Sequence, residues 1–312
     1  MLTEDFNKEL QTTSQILQLA ADGAKAGDIR KPSTNHLRAS RAGLPLVQLV
    51  LEDLILPKIE LELNTPKQKT DTSFHMRIGS GHLFEAAVGL ELGEKYQSVI
   101  NNATLDWKNI EGHCDYLAFD PTKSKVHVYE CKSLNVYGIK DAKDKVLYDN
   151  WGYYTQLSLY YSSVLTSYAG SNVSASWLVW CKKSGKMIEI PYPEVDGEPI
   201  VTANHAVRKS SIYVDIYSLL KAGDIDKAID ILWAESEELP ERVNTGTNFY
   251  NSCGLHFHWS SGLLVDKKEG HMLDSAHDNL RVLANAAYGQ DDSKAISLST
   301  VKLLLDNRKK VR

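Results

Sequence analysis

Two short segments hold the residues best suited to chemistry: Gly112-His113-Cys114-Asp115 and, after 14 intervening residues, Glu130-Cys131-Lys132. Two carboxylates and a lysine at neighbouring strand ends are the groups that metal-dependent phosphodiester cleavage needs. The acids hold a hard divalent cation through oxygen, and the lysine handles the attacking water or the phosphate. An acid-x-Lys triplet by itself also arises as a surface ion pair on a hairpin. The Gly-x-x-Asp strand before it, at a compatible spacing, favours the chemical reading.

Alternate side chains of a strand share a face. Val126, Val128, Glu130 and Lys132 are therefore expected on one face, with the charged pair emerging at the strand end. His113, Asp115, Leu117 and Phe119 are expected to share a face of the preceding strand, and antiparallel pairing then sets Asp115 beside Glu130 and Lys132. Cys131 points the other way, but its backbone carbonyl can still reach a metal. Two more pairs flank this hairpin. His82 and Glu85 are three apart, on one face of a helix, and an imidazole nitrogen of His82 can ligate a metal. Gln156 and Tyr160 are four apart on the helix after the hairpin, placed to contact a phosphate or to support Lys132. Standing alone, each pair is also what an ordinary amphipathic helix carries.

The elements that must position these groups read as follows. A helix is expected over 7–21, and another after Pro45, running through Val47 to Leu56. Residues 57–73 read as a polar loop. Phe74–Leu92 reads as a helix capped by Gly93. Strands are expected over 98–107, 113–120 and 125–133, with Asp120-Pro121 beginning the last turn. Lys143–Ser167 reads as one long helix, and Ala175–Cys181 with Lys186–Pro191 as a hairpin. Helices over 210–222 and 225–238 are separated by Gly223. Residues 240–262 are irregular, and helices over 274–287 and 298–309 close the chain. Helix, three strands, helix and two strands over 74–191 imply an α/β sandwich with a small mixed sheet between helices. The expected division is a helical N-terminal segment (1–73), a core (74–200) and a mostly helical extension of open role (201–312).

In this order the motifs resemble the RecB-like branch of the PD-(D/E)XK nuclease superfamily. That branch carries a helical Gly-x-x-His-x-x-Glu, then Gly-x-x-Asp, then Asp/Glu-x-Lys, then Gln-x-x-x-Tyr. The matching residues are Gly79 with His82 and Glu85, Gly112 with Asp115, Glu130 with Lys132, and Gln156 with Tyr160. The resemblance implies a restriction-endonuclease-like α/β core, a small mixed β-sheet flanked by helices, with helical N- and C-terminal additions. It implies that His82, Asp115, Glu130 and the carbonyl of Cys131 bind one or two Mg²⁺ or Mn²⁺ ions. Lys132 would orient or deprotonate the attacking water and stabilise the pentavalent phosphate. Gln156 and Tyr160 would line the substrate path, with Glu85 in the catalytic set. Some relatives carry a four-cysteine iron–sulfur cluster, with one cysteine before the histidine motif and three near the C-terminus. Here no cysteine precedes Cys114 and no C-terminal cluster exists, so no iron–sulfur centre is expected.

The implied function is a metal-dependent DNA exonuclease leaving 5′-phosphates, in recombination, repair or phage DNA metabolism. Its implied partners are DNA, a single-strand-annealing or recombination protein, and further copies of itself. The alternatives are a restriction-type or structure-specific endonuclease, with the C-terminal third as a recognition domain, and a non-catalytic nucleic-acid-binding module on the same fold.

Bulk properties bound these readings. The chain has 312 residues, 43 % hydrophobic and 24 % charged, as in ordinary soluble proteins. No apolar stretch approaches the roughly 20 residues of a membrane span, so no membrane is expected. The polar start MLTEDFNKEL is no secretory signal. Four scattered cysteines without a CxxC pair argue against a disulfide framework, so a reducing bacterial or phage-infected cytoplasm is the expected compartment. The net charge of −5 weighs mildly against nucleic-acid binding, but a DNA footprint is a local patch. Arg30, Lys31, Arg38, Ser40 and Arg41 form one candidate DNA contact, and Lys140 with Lys143 and Lys145 a second. The first falls in the stretch where relatives start a DNA-facing helix, and the second follows the active strand. Lys182, Lys183 and Lys186 are a third, less favoured group. His256-Phe257-His258 has the spacing of a strand-borne metal pair, but its aromatic surroundings favour packing or a DNA-contact loop.

Overall fold

The computed structural model describes residues 37–64, 72–147, 152–192, 199–235 and 273–309, with Gln15, Leu17, Gln18 and Leu264. Arg30, Lys31, His256, His258 and most of the helix expected over 7–21 lie outside the described residues.

Helix α1 (Leu46–Leu49) passes through a π-helical stretch (Val50–Ile55) into α2 (Leu56–Glu62). Part of the segment expected as a loop is therefore helical. Pro57 sits in the first turn of α2, directly after the π-helical stretch. Helix α3 (Thr72–Lys95) runs straight through Gly93, and Tyr96 still donates to the Leu92 carbonyl at 2.9 Å, so Gly93 is not a cap. Strands β1 (Ser98–Trp107), β2 (Ile110–Asp120) and β3 (Lys125–Leu134) follow, with a single 3-10 turn at Pro121–Lys123.

The helix expected over 143–167 is two helices, α4 (Ile139–Leu147) and α5 (Tyr153–Ser167). Gly152 caps α5 at φ +72°, and a Cβ there would stand 3.1 Å from Gly43 Cα. Only glycine takes that conformation and that approach at no steric cost. Strands β4 (Asn172–Cys181) and β5 (Lys186–Tyr192) form the expected hairpin. Helices α6 (Pro199–Ala222), α7 (Ile225–Ala234), α8 (Ala276–Tyr288) and α9 (Asp291–Lys309) complete the described chain.

The five strands form one mixed sheet in the order β1-β2-β3-β4-β5, flanked by helices. Only β3 and β4 are parallel, and a parallel pair needs a crossover, which α4 and α5 supply. Both faces of β3 are covered. Val126 and Val128 pack with Leu157, Tyr160 and Val164 of α5. Tyr129 and Cys131 pack with Phe84, Val88 and Leu92, a stripe at four-residue spacing on α3.

Strict alternation fails at Asp115. Cys114 packs on the α5 side of the sheet, and so do Leu117 and Phe119, whereas Tyr116 packs on the α3 side. The facing strand changes sides at the same step, where Asn102 sits at φ +54°, a left-handed conformation that asparagine tolerates. The expected single face from His113 to Phe119 is therefore broken in the middle, and Asp115 stands at the break.

The described residues divide into two compact units. One comprises 38–43 and 68–207, and the other includes 44–67 and the residues from 208 onward. The first contains the sheet and every described site residue named above. The second has its own core, with Leu51, Ile55, Tyr213, Ile229 and Leu280 fully buried. Among the described residues no helix is long and apolar enough to cross a membrane.

Candidate active site

The β2–β3 register brings the two acids together. The paired stretch ends where Tyr116 meets Tyr129, one residue short of Asp115 and Glu130, and the Asp115 charge acts on the Glu130 carboxyl. Asp115 Oδ2 accepts a hydrogen bond from the Cys131 backbone N–H at 2.6 Å. Glu130 is only 2 % exposed. Its Oε1 accepts from Lys132 Nζ at 2.6 Å, while its Oε2 is buried with no hydrogen-bond partner.

Lys132 is held from a second direction. Its Nζ donates to Gln156 Oε1 at 3.2 Å and lies 4.7 Å from the centre of the Tyr153 ring. Gln156 Nε2 donates to the Tyr160 hydroxyl at 3.1 Å, and that hydroxyl donates to the His113 carbonyl at 2.9 Å. A continuous chain of hydrogen bonds thus runs from the β2 backbone through α5 to the lysine. Gln156 and Tyr160 are both buried. Gln156 braces Lys132 from behind and Tyr160 braces Gln156, the supporting placement of the two expected for this pair.

The electrostatics follow from burial. Burial, reinforced by Asp115 and opposed by Lys132, pushes the Glu130 carboxyl up to about 7. Burial by itself would depress the Lys132 ammonium, but Glu130 and Asp115 together outweigh it and hold the group above its ordinary range. Lys132 therefore keeps its proton, while Glu130 titrates near neutrality.

Helix α3 contributes the third edge. Burial raises the Glu85 carboxyl above the usual carboxylate range, against the pull of His82. His82 Nδ1 lies 3.3 Å from Glu85 Oε2. The structure does not bring His82 together with Asp115 and Glu130 as a three-ligand group: among the described residues, no three His, Cys, Asp or Glu side chains are so grouped. Glu85 is fixed through its backbone, whose carbonyl accepts from the Tyr116 hydroxyl at 2.6 Å. Gly89 makes room for that contact, since a Cβ there would meet the Tyr116 hydroxyl oxygen at 2.5 Å.

Tyr153, Tyr116 and Gly89 are the positioning residues that sequence reasoning missed. Tyr153 lies three positions before Gln156, so helical spacing could have indicated it. Nothing local marks the other two.

Of the expected DNA contacts, Ser40, Lys140 and Lys143 are exposed, while Arg38 and Arg41 are half-buried. Ala39 N–H donates to the Glu111 carbonyl at 3.1 Å, which fastens the Arg38–Arg41 turn to the start of β2. No family model, curated protein or solved structure matches the chain.

Proposed function

We propose that the chain is a metal-dependent deoxyribonuclease of the RecB-like type, an exonuclease that hydrolyses phosphodiester bonds to leave 5′-phosphates. The observation that carries this reading is the buried Glu130 Oε2, an unpartnered carboxylate oxygen beside Asp115. An unpaired buried carboxylate oxygen is costly, and a cation is the natural group to satisfy it. The donor set fits a hard divalent ion. Magnesium commonly takes one or two carboxylates and fills its remaining positions with water and substrate phosphate. Asp115, Glu130 and the Cys131 carbonyl would hold the ion, which supplies charge neutralisation and a bound water of lowered pKa. The mixed five-stranded sheet flanked by helices is compatible with the reading.

The chain's own residues do the rest. Lys132 spends two of its three N–H donors on Glu130 Oε1 and Gln156 Oε1. The third remains for a phosphate oxygen or the attacking water. A lysine that keeps its proton orients and stabilises charge, and does not serve as the base. Gln156 and Tyr160 fix its direction, as preorganised electrostatic catalysis requires.

The test is cleavage of end-labelled linear DNA beside closed circular DNA, with Mg²⁺ or Mn²⁺. Asp115→Ala, Lys132→Ala and a chelator are the controls. Degradation of linear DNA alone, abolished in every control, is expected. Cleavage of circles would replace the exonuclease with an endonuclease, and no cleavage of either DNA would refute catalysis.

A further inference from the structure

Strands β3 and β4 are parallel, so their C-terminal ends lie at one edge of the sheet. Glu130 and Lys132 stand near that end of β3. In α/β sheets, ligands gather outside the carboxyl ends of such strands. Beyond the strands the pairing continues: Lys182 N–H donates to the Leu134 carbonyl at 2.9 Å and Lys183 N–H to the Val136 carbonyl at 3.3 Å. This places the β4–β5 turn beside Tyr137.

Tyr137 is 64 % exposed, and Ile139 after it 53 %. Lys183 Nζ lies 4.7 Å from the centre of the Tyr137 ring, a cation–π contact that steadies the ring while leaving most of it in water. Residues 181–187 (CKKSGKM) carry three lysines and no acid in a chain of net charge −5. On α4, Asp141 and Asp144 offset two of the three lysines Lys140, Lys143 and Lys145, so the lysine excess is greater on the turn.

We propose that Tyr137, with Lys183 against its ring and Lys182 and Lys186 on the same turn, is a stacking platform for an unpaired base of single-stranded DNA. Bases inside a duplex already stack on both faces, so an exposed ring can take only a base that is unpaired or terminal. Sequence-tolerant single-strand binding combines such rings with lysines that follow the phosphates. Tyr137 is five positions after Lys132, at most roughly 18 Å along an extended chain, so the stacked base belongs to the strand that feeds the site. The platform rests on the nuclease reading and narrows its substrate to DNA with an unpaired stretch at the cut strand.

The experiment is fluorescence anisotropy on the full chain in EDTA, where no cleavage interferes. The probes are a dye-labelled oligothymidylate of about 20 nucleotides, longer than a typical single-strand site, and, as a competitor, closed circular duplex DNA, which offers no terminal base. Tyr137→Ala is expected to weaken oligothymidylate binding about 10-fold or more, as loss of one stacked base does, with duplex binding unchanged. Tyr137→Phe should bind like the parent, and Lys183→Ala should fall between. Tryptophan fluorescence of Tyr137→Trp should be quenched by the oligothymidylate. The platform is overturned if the parent does not bind it, if Tyr137→Ala binds it equally well, or if single-strand and duplex binding fall together. Repeating with Mn²⁺ separates the two readings. A parent that binds through Tyr137 but cuts nothing overturns the nuclease and leaves the platform. A Tyr137→Ala protein that binds and cuts like the parent overturns the platform and leaves the nuclease.

Discussion

The ring of Tyr160 occupies the space that any side chain on Gly112 would need. A Cβ there would stand 2.7 Å from Tyr160 Cε1 and 2.6 Å from Ala39 Cβ. The glycine of the Gly-x-x-Asp segment thus lets α5 approach β2 until the Tyr160 hydroxyl reaches the His113 carbonyl. Gly112→Ala must move a buried, anchored ring, and overpacking of this kind costs about 1–3 kcal/mol. Cleavage is expected to fall further, by up to roughly 10²-fold for a displacement of about 1 Å, because Gln156 loses its support. Urea denaturation beside a cleavage assay checks this, and a variant with parental stability would refute the steric account.

Tyr160→Phe keeps the ring and removes the hydroxyl that joins Gln156 to the β2 backbone. The part-buried His113 carbonyl then loses a donor and the Gln156 amide an acceptor, at about 1–3 kcal/mol. The expected signature is a lower kcat with KM nearly unchanged, since the tyrosine acts through Lys132 and not on substrate. A raised KM at constant kcat would instead place Tyr160 in the substrate path.

Glu130 gives the metal-free protein a pH signature. Its carboxyl sits near 7 in the fold against an ordinary 4.5. A folded value raised above the unfolded one contributes stability that is complete below about 4.5 and is lost as pH rises through about 7, on the order of 3 kcal/mol. In EDTA, the melting temperature of the parent minus that of Glu130→Gln is expected to fall between pH 4.5 and 8. Lys132 keeps its proton throughout this range and leaves the slope alone. Mn²⁺ should reverse the trend, stabilising the parent more at high pH because it binds the carboxylate. A difference that does not vary with pH would exclude the buried-acid account.

His127 has the opposite slope. Its imidazole is buried on β3, with Nδ1 2.6 Å from Ser174 Oγ and Nε2 3.0 Å from Ser176 Oγ. Burial, with help from Lys125 and Lys95, pushes it down to about 3. The partly exposed Glu189 carboxylate, 4.0 Å from Nε2, does not overturn this. Below about 6.5 the unfolded chain takes up a proton that the fold refuses, so stability falls by about 1.4 kcal/mol per pH unit toward the folded value. His127→Asn should therefore unfold at lower pH than the parent in an acid titration followed by circular dichroism. An unchanged acid midpoint would count against a neutral buried imidazole.

Strand positions were legible because β-branched and aromatic residues alternate between clear turn signals, and the proximity of Asp115 to Glu130 follows from counting across the Asp120–Lys125 turn. Three things were not legible. Gly152 breaks the long helix because it must pass Gly43, more than a hundred residues away in sequence. Gly93 is compatible with a cap or a helix interior, and only the packing of the Phe84–Val88–Leu92 stripe decides. The change of face at Asp115 depends on the conformation of Asn102 on another strand, which no periodicity within β2 records. Likewise, Gly112 and Gly89 look like turn or flexibility residues until the rings of Tyr160 and Tyr116 are set against them.

The sheet's single parallel pair divides the site in time. Asp115 and Glu130 belong to a hairpin, whose closure is local and takes microseconds, on the order of 1–10 μs. Gln156 reaches Lys132 only after α4 and α5 have crossed over and β4 has docked alongside β3, a non-local step that is intrinsically slower. During refolding the acid pair should thus exist before the lysine is braced. Pulse-labelled hydrogen exchange is expected to protect the Cys131 amide, which bonds Asp115, ahead of the β4 amides. Simultaneous protection would mean that the crossover nucleates the fold.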